Sequence, residues 1–293
     1  RYGGAMNEIA HGPLVSAEEL VESLDDPSLR IADVRWFLGE PGRGAAEYDE
    51  GHIPGAVFVD LDRDLAASRG EGRHPLPDAM AFADRMGELG FGDGHTIVIH
   101  DAAAGQYGAR MWWMLDQLGH ERVYLLDGGI GAWKRAGGPW TAERSTPLRT
   151  TITLATDWPV TMDRTAVLAL KDQIDLVDVR APERYRGEVE PMEPVGGHIP
   201  GARNCPCASL MREDGRMKPA YEVDVLIRGR GVRDGLPLVI SCGSGVTACY
   251  GALGARVAGL PDPILYPGSF SDWVGSGMPV ATGSEPDGPI IDP

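Results

Sequence analysis

The chain has 293 residues, 43% of them hydrophobic and 24% charged, which is enough for two separately buried cores. This composition is typical of a soluble globular protein and excludes a disordered or collagen-like chain. A formal net charge of −16 disfavours nucleic acid and anionic membranes as partners, because both would be repelled. No segment has the about 18 consecutive apolar residues of a spanning helix, and residues 1–12 lack an apolar export signal, so we expect a cytoplasmic protein.

Four sequence blocks of the first half recur in the second half at a nearly constant offset of roughly 140 residues. The clearest is the pentapeptide His-Ile-Pro-Gly-Ala, at residues 52–56 and again at residues 198–202. The other pairs are Ile31–Arg35 with Leu176–Arg180, Thr96–Asp101 with Pro237–Cys242, and Gly128 and Trp133 with Gly268 and Trp273. The sequence therefore predicts a duplicated domain.

Each half follows the same order of predicted elements. An amphipathic helix (Ala17–Leu24; Arg164–Ala169) leads into a buried strand, a turn, a second strand, helices, a third strand and a loop that enters another helix. The third strands, Ile97–Ile99 and Leu238–Ile240, are continuous apolar runs, as a sheet covered on both faces requires. This alternation predicts an α/β protein of two tandem domains, each a mainly parallel sheet flanked by helices.

The predicted domain boundaries follow from the repeat and from composition. We assign residues 6–140 to a first domain and residues 159–281 to a second domain. Residues 141–158, rich in Thr, Ser and Pro, are predicted to form the linker, and residues 282–293 an extended surface tail.

Several repeated polar and aromatic residues are predicted to serve the fold. Arg35 and Arg180 each follow Asp-Val at a strand end and are expected to pair with buried carboxylates, together with Asp33 and Asp178. The two histidines of the repeated pentapeptide are expected to bond to backbone groups. The indoles at 133 and 273 are expected to anchor helices, and those at 112 and 113 to pack.

The loop after Ile240 carries the predicted chemistry. Here Ser241-Cys242-Gly-Ser-Gly-Val-Thr-Ala248 joins a buried strand to a helix, at the carboxyl end of the sheet where open α/β folds bind ligands. Gly243 and Gly245 allow a tight turn with backbone N–H groups directed inward, and the helix beginning near Val246 adds its positive N-terminal dipole. Such a loop favours the ionised thiolate of Cys242, which makes that cysteine the predicted nucleophile.

The alternative is that Cys242 serves as a small buried hydrophobic residue, as most free cysteines do. Cys249 is predicted to be a core residue, and Cys205 and Cys207 have no second pair at zinc-binding spacing. No metal or organic cofactor is indicated. In the first half, Asp101 aligns with Cys242; it can accept the same hydrogen bonds but cannot carry sulfur, so we predict that the first domain is non-catalytic.

These motifs resemble the two-domain rhodanese sulfurtransferases, within them most closely the branch that uses 3-mercaptopyruvate, over residues 10–281. The resemblance implies that Cys242 takes sulfur from 3-mercaptopyruvate as a persulfide, releases pyruvate, and passes the sulfur to a thiol acceptor such as thioredoxin, or to cyanide. Residues 242–247 contain no Arg or Lys, whereas the thiosulfate branch carries them in this loop.

The resemblance also implies roles for further residues. Ser244, His74 and Asp62 match a relay that handles the substrate proton, and Arg184 matches a residue that binds the substrate carboxylate. The remaining substrate contacts fall on the loop residues Gly243, Gly245, Val246 and Thr247. Family members often have a second arginine after the Arg184 motif, but residues 187–197 contain none; Arg186, Arg212 or a backbone N–H are the alternatives.

Other functions remain open from the sequence. The chain could use thiosulfate or act as a persulfide carrier, and both alternatives also require a Cys242 persulfide. A phosphatase or arsenate reductase, or a non-catalytic redox or binding module, could share the fold. A cysteine phosphatase would need an arginine six residues after the nucleophile, where this chain has Ala248.

Overall fold

The computed structural model describes residues 12–154, 157–158 and 161–292. By the contacts of its residues the chain divides into two compact units. Of the described residues, the first unit comprises 12–67, 77–154, 157–158 and 212–217, and the second comprises 68–76, 161–211 and 218–292. The segment 68–76, which the sequence assigns to the first domain, therefore belongs to the second unit.

The first unit contains a five-stranded parallel sheet in the order β1-β5-β4-β2-β3. Its strands are β1 Leu14–Val15, β2 Leu29–Asp33, β3 Ala56–Phe58, β4 Thr96–His100 and β5 Val123–Leu126. Its helices are α1 Ala17–Glu22, α2 Arg43–Glu50, α3 Leu61–Asp64, α4 Ala79–Glu88, α5 Gly108–Gln117 and α6 Gly129–Arg135.

The second unit repeats this arrangement with a four-stranded parallel sheet in the order β7-β6-β8-β9. Its strands are β6 Asp175–Asp178, β7 Arg203–Asn204, β8 Leu238–Ser241 and β9 Ile264–Leu265. Its helices are α7 Arg164–Leu170, α8 Pro182–Tyr185, α9 Ala220–Arg228, α10 Ala248–Val257 and α11 Ser269–Gly275, with a 3₁₀ turn at Cys207–Leu210. The predicted α/β class, with two parallel sheets flanked by helices, is confirmed.

The chain end folds back on the second unit. β10, Val280–Ala281, pairs antiparallel with β11, Ile290–Ile291, through the register Val280 with Ile291. The segment that composition predicted to be an extended tail is therefore a short hairpin arm, because Thr282 donates its N–H to Pro289 O across the turn.

The cores sit where the buried strand faces meet the helices. All five residues of β4 are buried, as are the last three of β8. The core of the first unit includes Val98, Leu126 and Trp133, and that of the second includes Val239, Phe270 and Trp273. Both predicted tryptophan anchors are confirmed: the indole N–H groups donate to Pro139 O at 3.0 Å and Pro279 O at 2.7 Å. Within the described ranges no helix has the length and apolar character needed to cross a membrane.

The repeated Asp-Val-Arg motif forms a buried ion pair at the end of β2 and of β6. Arg35 Nη2 lies 2.5 Å from Asp33 Oδ2 and also donates to Gly51 O at 2.9 Å. Arg180 repeats both contacts, with Asp178 at 2.6 Å and with Gly197 O at 2.6 Å. Each guanidinium thus ties a strand end to the residue before the repeated pentapeptide, as the structural interpretation of these arginines requires.

The histidine of the repeated pentapeptide makes the same contacts in both units. Each stacks on a tyrosine, His52 on Tyr48 with ring centroids 3.9 Å apart and His198 on Tyr185 at 3.7 Å. Nδ1 of each histidine lies 2.8 Å from the backbone oxygen of its tyrosine. The prediction that both histidines bond to the backbone is therefore confirmed.

Replacement of Asp33 by Asn should lower the free energy of unfolding by about 3–5 kcal/mol, because it leaves the buried Arg35 charge without its carboxylate. Urea titration followed by tryptophan fluorescence measures this loss. Asp224→Asn, which breaks the solvent-exposed pair with Arg228, is the matched control and should leave the free energy of unfolding nearly unchanged. Equal effects of the two variants would contradict a structural role for the buried pair.

Candidate active site

Cys242 follows the last residue of β8 directly and stands at the carboxyl end of the second sheet. The residue is 2% exposed. The N–H of Gly245 donates to its Sγ at 3.1 Å, so a loop amide is directed at the sulfur as predicted. The helix that follows, α10, begins at Ala248 with Thr247 as its N-cap, two residues later than the sequence indicated. The loop therefore directs one backbone donor at the sulfur and then enters a helix.

The loop is held in shape by the start of α11. Ser269 Oγ accepts the N–H of Cys242 at 3.0 Å and donates to Tyr266 O at 2.8 Å. The N–H of Phe270 donates to Cys242 O, and the N–H of Ser271 donates to Gly243 O at 2.9 Å. These bonds fix the backbone on both sides of the sulfur. Ser269 and Ser271 were not identified from the sequence.

Gly245 must be glycine for two reasons. Its φ of +78° lies in the left-handed region, and a Cβ atom at this position would come within 2.3 Å of Pro267 O. Any side chain would push the amide away from the sulfur.

Ser244 and His74 are brought together as the family resemblance implies. His74 Nδ1 lies 2.8 Å from Ser244 Oγ, although the two residues are 170 positions apart. Both side chains are buried, with 9% and 6% exposure. His74 reaches Ser244 because segment 68–76 packs within the second unit, where the N–H of Arg73 donates to Ser271 Oγ at 3.0 Å. The pair can transfer a proton between imidazole and hydroxyl beside the nucleophile.

Asp62 belongs to the first unit, where Trp36 Nε1 donates to its Oδ2 at 2.9 Å. Its membership of the relay stays a prediction from the resemblance.

Arg184 lies beside the loop, in α8. It binds Glu190 through two bonds, Nη2 to Oε1 at 2.6 Å and Nε to Oε2 at 3.2 Å. Its terminal nitrogens would lie 3.6 Å from a Cβ atom built on Gly243. Of the alternatives for a second carboxylate donor, Arg186 pairs with Glu188, and Arg212 belongs to the first unit.

Arg73 is a site residue that the sequence reasoning missed. Its Nη2 would lie 3.1 Å from a Cβ atom on Gly243, and its Nη1 pairs with Glu193. Burial lowers the pKa of this guanidinium, and the charge of Arg184 acts in the same direction, whereas the charges of Cys242 and Glu190 oppose them. The sequence feature that could have identified Arg73 is its position next to His74.

The other three cysteines are buried. The thiols of Cys249 and Cys207 donate to Gly245 O and Thr247 O, each at 3.4 Å. Burial raises the pKa of Cys205 and of Cys207, so both stay protonated. In the part of the chain that the structure describes, no cluster of three or more His, Cys, Asp or Glu side chains could hold a metal ion.

The equivalent loop of the first unit holds a carboxylate instead of a thiol. Asp101 accepts four backbone N–H groups at 2.7–2.8 Å, from Ala103, Gly105, Tyr107 and Gly108. The prediction that Asp101 takes up the hydrogen bonds of this loop is confirmed. A loop of this type therefore converges backbone donors on one anion.

The model of the rhodanese-like domain matches residues 16–136 and 163–276, and the chain belongs to the rhodanese family. The chain is 41% identical over 281 residues to a Pseudomonas aeruginosa protein named probable 3-mercaptopyruvate sulfurtransferase, covering 92% of this chain and 98% of that protein. It is 33% identical over 287 residues to the thiosulfate sulfurtransferase of Cricetulus griseus, covering 92% and 94%.

Among solved structures, SseA from Escherichia coli, described as a 3-mercaptopyruvate sulfotransferase with the rhodanese fold, superimposes with a TM-score of 0.80. The two share 34% identity over 89% of this chain and 100% of that one.

Replacement of Gly245 by Ala should slow alkylation of Cys242 by iodoacetamide about tenfold or more, since a hydrogen bond to a charged group contributes about 1.5–3 kcal/mol. Peptide mass spectrometry locates and times the modification. Gly277→Ala is the control, because Gly277 also has a positive φ, +67°, but its Cβ would meet no atom within 4 Å. An unchanged alkylation rate in Gly245→Ala would contradict the importance of this amide.

Proposed function

We propose that this protein is a 3-mercaptopyruvate sulfurtransferase that carries sulfur on Cys242. The observation that carries the proposal is the amide-bound sulfur of Cys242 with the Ser244–His74 pair beside it. The relatives named above support the assignment, because the chain matches them over nearly its full length.

The proposed reaction has two half-reactions. The Cys242 thiolate attacks the sulfur of 3-mercaptopyruvate, an S–S bond forms, and the S–C bond breaks with its electron pair moving to carbon. The resulting enolate takes up the proton that the transferred sulfur loses, which gives pyruvate and the Cys242 persulfide anion. A thiol acceptor then removes the outer sulfur and restores the thiolate.

Ser244 and His74 are proposed to move that proton. Their 2.8 Å contact provides a path between hydroxyl and imidazole at the edge of the loop. Asp62 is proposed from the family resemblance as the third member of this relay. Arg184 is proposed to bind the substrate carboxylate, and the backbone of residues 243 and 245–247 to line the sulfur pocket.

A dithiol protein such as thioredoxin is the proposed acceptor, since a second thiol can release the sulfur from a mixed intermediate by disulfide formation. A cytoplasmic location stays a prediction.

Thiosulfate is the second candidate donor, favoured by the similarity to a named thiosulfate sulfurtransferase. Thiosulfate brings two negative charges close to the thiolate and needs an excess of positive charge. The guanidiniums of Arg184 and Arg73 are each paired with a glutamate, which supports a donor with a single carboxylate charge.

Cys242→Ser should abolish sulfur transfer, with a loss of at least about a thousandfold in turnover, because the hydroxyl cannot form a persulfide. Intact-mass spectrometry of the wild-type protein after incubation with 3-mercaptopyruvate should find one added sulfur on the peptide that contains Cys242. Cys205→Ala is the control and should keep the added sulfur. Turnover that persists in Cys242→Ser would refute the proposal.

Ser244→Ala should lower kcat with 3-mercaptopyruvate by about a hundredfold, the usual contribution of a positioned proton donor. The alkylation rate of Cys242 should change little, since the amide of Gly245 remains in place. Stopped assays of pyruvate release and iodoacetamide labelling measure the two quantities. An equal loss in both would assign Ser244 to the shape of the loop rather than to proton transfer.

A further inference from the structure

Two guanidiniums lie against the nucleophile loop, at Gly243. A Cβ atom on this residue would be 3.1 Å from Arg73 Nη2 and 3.6 Å from both terminal nitrogens of Arg184. The absence of a side chain at 243 therefore leaves room for two cations beside Cys242. The segment 187–197 contains no arginine, and Arg73 is the second guanidinium that the structure places at Gly243.

One serine, Ser271, bonds both to Arg73 and to the nucleophile loop. Ser271 Oγ accepts the N–H of Arg73 at 3.0 Å, while the N–H of Ser271 donates to Gly243 O at 2.9 Å. The preceding Gly72 has a φ of +76°, and a Cβ atom built on Gly72 would lie 2.6 Å from the backbone oxygen of Gly268. Arg73 thus belongs to a fixed turn.

Two glutamates orient and neutralise the two guanidiniums. Glu190 binds the Nε–Nη2 edge of Arg184, and both terminal nitrogens of Arg184 would lie 3.6 Å from a Cβ atom on Gly243. Glu193 binds Nη1 of Arg73, whose Nη2 faces the same glycine. The carboxylates are only 4% and 10% exposed, so water screens them weakly.

Resting on the proposed function, we propose that Arg73 is the second carboxylate-binding residue for the sulfur donor and that Glu193 restricts the site to donors with one negative charge. The two arginines supply hydrogen bonds from two directions to a planar carboxylate. Because the two glutamates already balance the charges of the two arginines, a dianionic donor would bring twice the uncompensated negative charge of a monocarboxylate to the Cys242 thiolate.

The first test compares Arg73→Met, Arg73→Lys and Arg184→Leu by steady-state kinetics with 3-mercaptopyruvate. Loss of either guanidinium should raise KM about tenfold to a hundredfold with a much smaller change in kcat. Pyruvate, which carries the same carboxylate, should weaken as a competitive inhibitor by a similar factor. Arg73→Lys should recover part of the loss, because an ammonium keeps the charge but not the planar fork.

Arg186→Leu is the matched control, since Arg186 follows the same short helix but pairs with Glu188 at the surface. It should leave KM unchanged. A KM for Arg73→Met within about twofold of the wild-type value would overturn the proposal. The proposal would also fail if kcat fell equally with 3-mercaptopyruvate and with thiosulfate while KM stayed constant.

Arg73→Met leaves Glu193 largely buried and unpaired, which could impair folding. The double variant Arg73→Met/Glu193→Gln removes both charges and should show the same rise in KM with a wild-type melting temperature. If the double variant binds 3-mercaptopyruvate as the wild type does, Arg73 does not contact the donor.

Glu193→Gln by itself tests the charge restriction. It should raise kcat/KM for thiosulfate relative to 3-mercaptopyruvate by about threefold to tenfold, because one positive charge becomes available to a dianion. A ratio unchanged from the wild type would overturn the role of Glu193.

Pyruvate binding to Cys242→Ser, measured by calorimetry, separates this inference from the proposed function. If wild-type protein takes no sulfur from 3-mercaptopyruvate, the proposed function fails. If pyruvate binds Cys242→Ser and the added Arg73→Met change leaves its affinity unaltered, the inference about Arg73 fails instead.

Discussion

The hydrogen bond from the Gly245 amide to the sulfur of Cys242 is the interaction on which the site depends. It requires a left-handed backbone at Gly245, a buried strand that ends at Ser241, and Ser269 to hold the amide of Cys242 itself. Each requirement belongs to a different element, β8, the loop and α11. The backbone around the sulfur is therefore held by bonds from three elements. In the proposed reaction, a donor that is already oriented needs no reorganisation when charge develops.

Equivalent residues of the two units show which features serve the fold and which belong to the proposed chemistry. Both units keep the buried Asp-Arg pair and the stacked Tyr-His pair, because these tie the strand ends to the repeated pentapeptide. The central residue of the loop differs. Asp101 accepts backbone N–H groups in the loop of the first unit, whereas Cys242 occupies the equivalent position in the second unit, where it is proposed to form and break a bond to sulfur.

The charge around the site comes from outside the nucleophile loop. The loop itself contains no Arg or Lys, but Arg73 and Arg184 approach it from other segments, and each is paired with a glutamate. The charges next to the loop are therefore balanced rather than absent. This distinction matters because paired guanidiniums still donate hydrogen bonds to a carboxylate.

The sequence by itself determined the duplication, the two parallel sheets and the structural role of the Asp-Val-Arg motif, and it pointed to Cys242 as the candidate nucleophile. These features follow from periodicity and from contacts between near neighbours, such as Asp178 with Arg180, which a linear pattern records. Only the tertiary structure decided that residues 68–76 join the second unit, which places His74 against Ser244 and Arg73 against Gly243. That docking depends on bonds between residues nearly two hundred positions apart, such as Arg73 with Ser271, and local propensity carries no information about such distant partners.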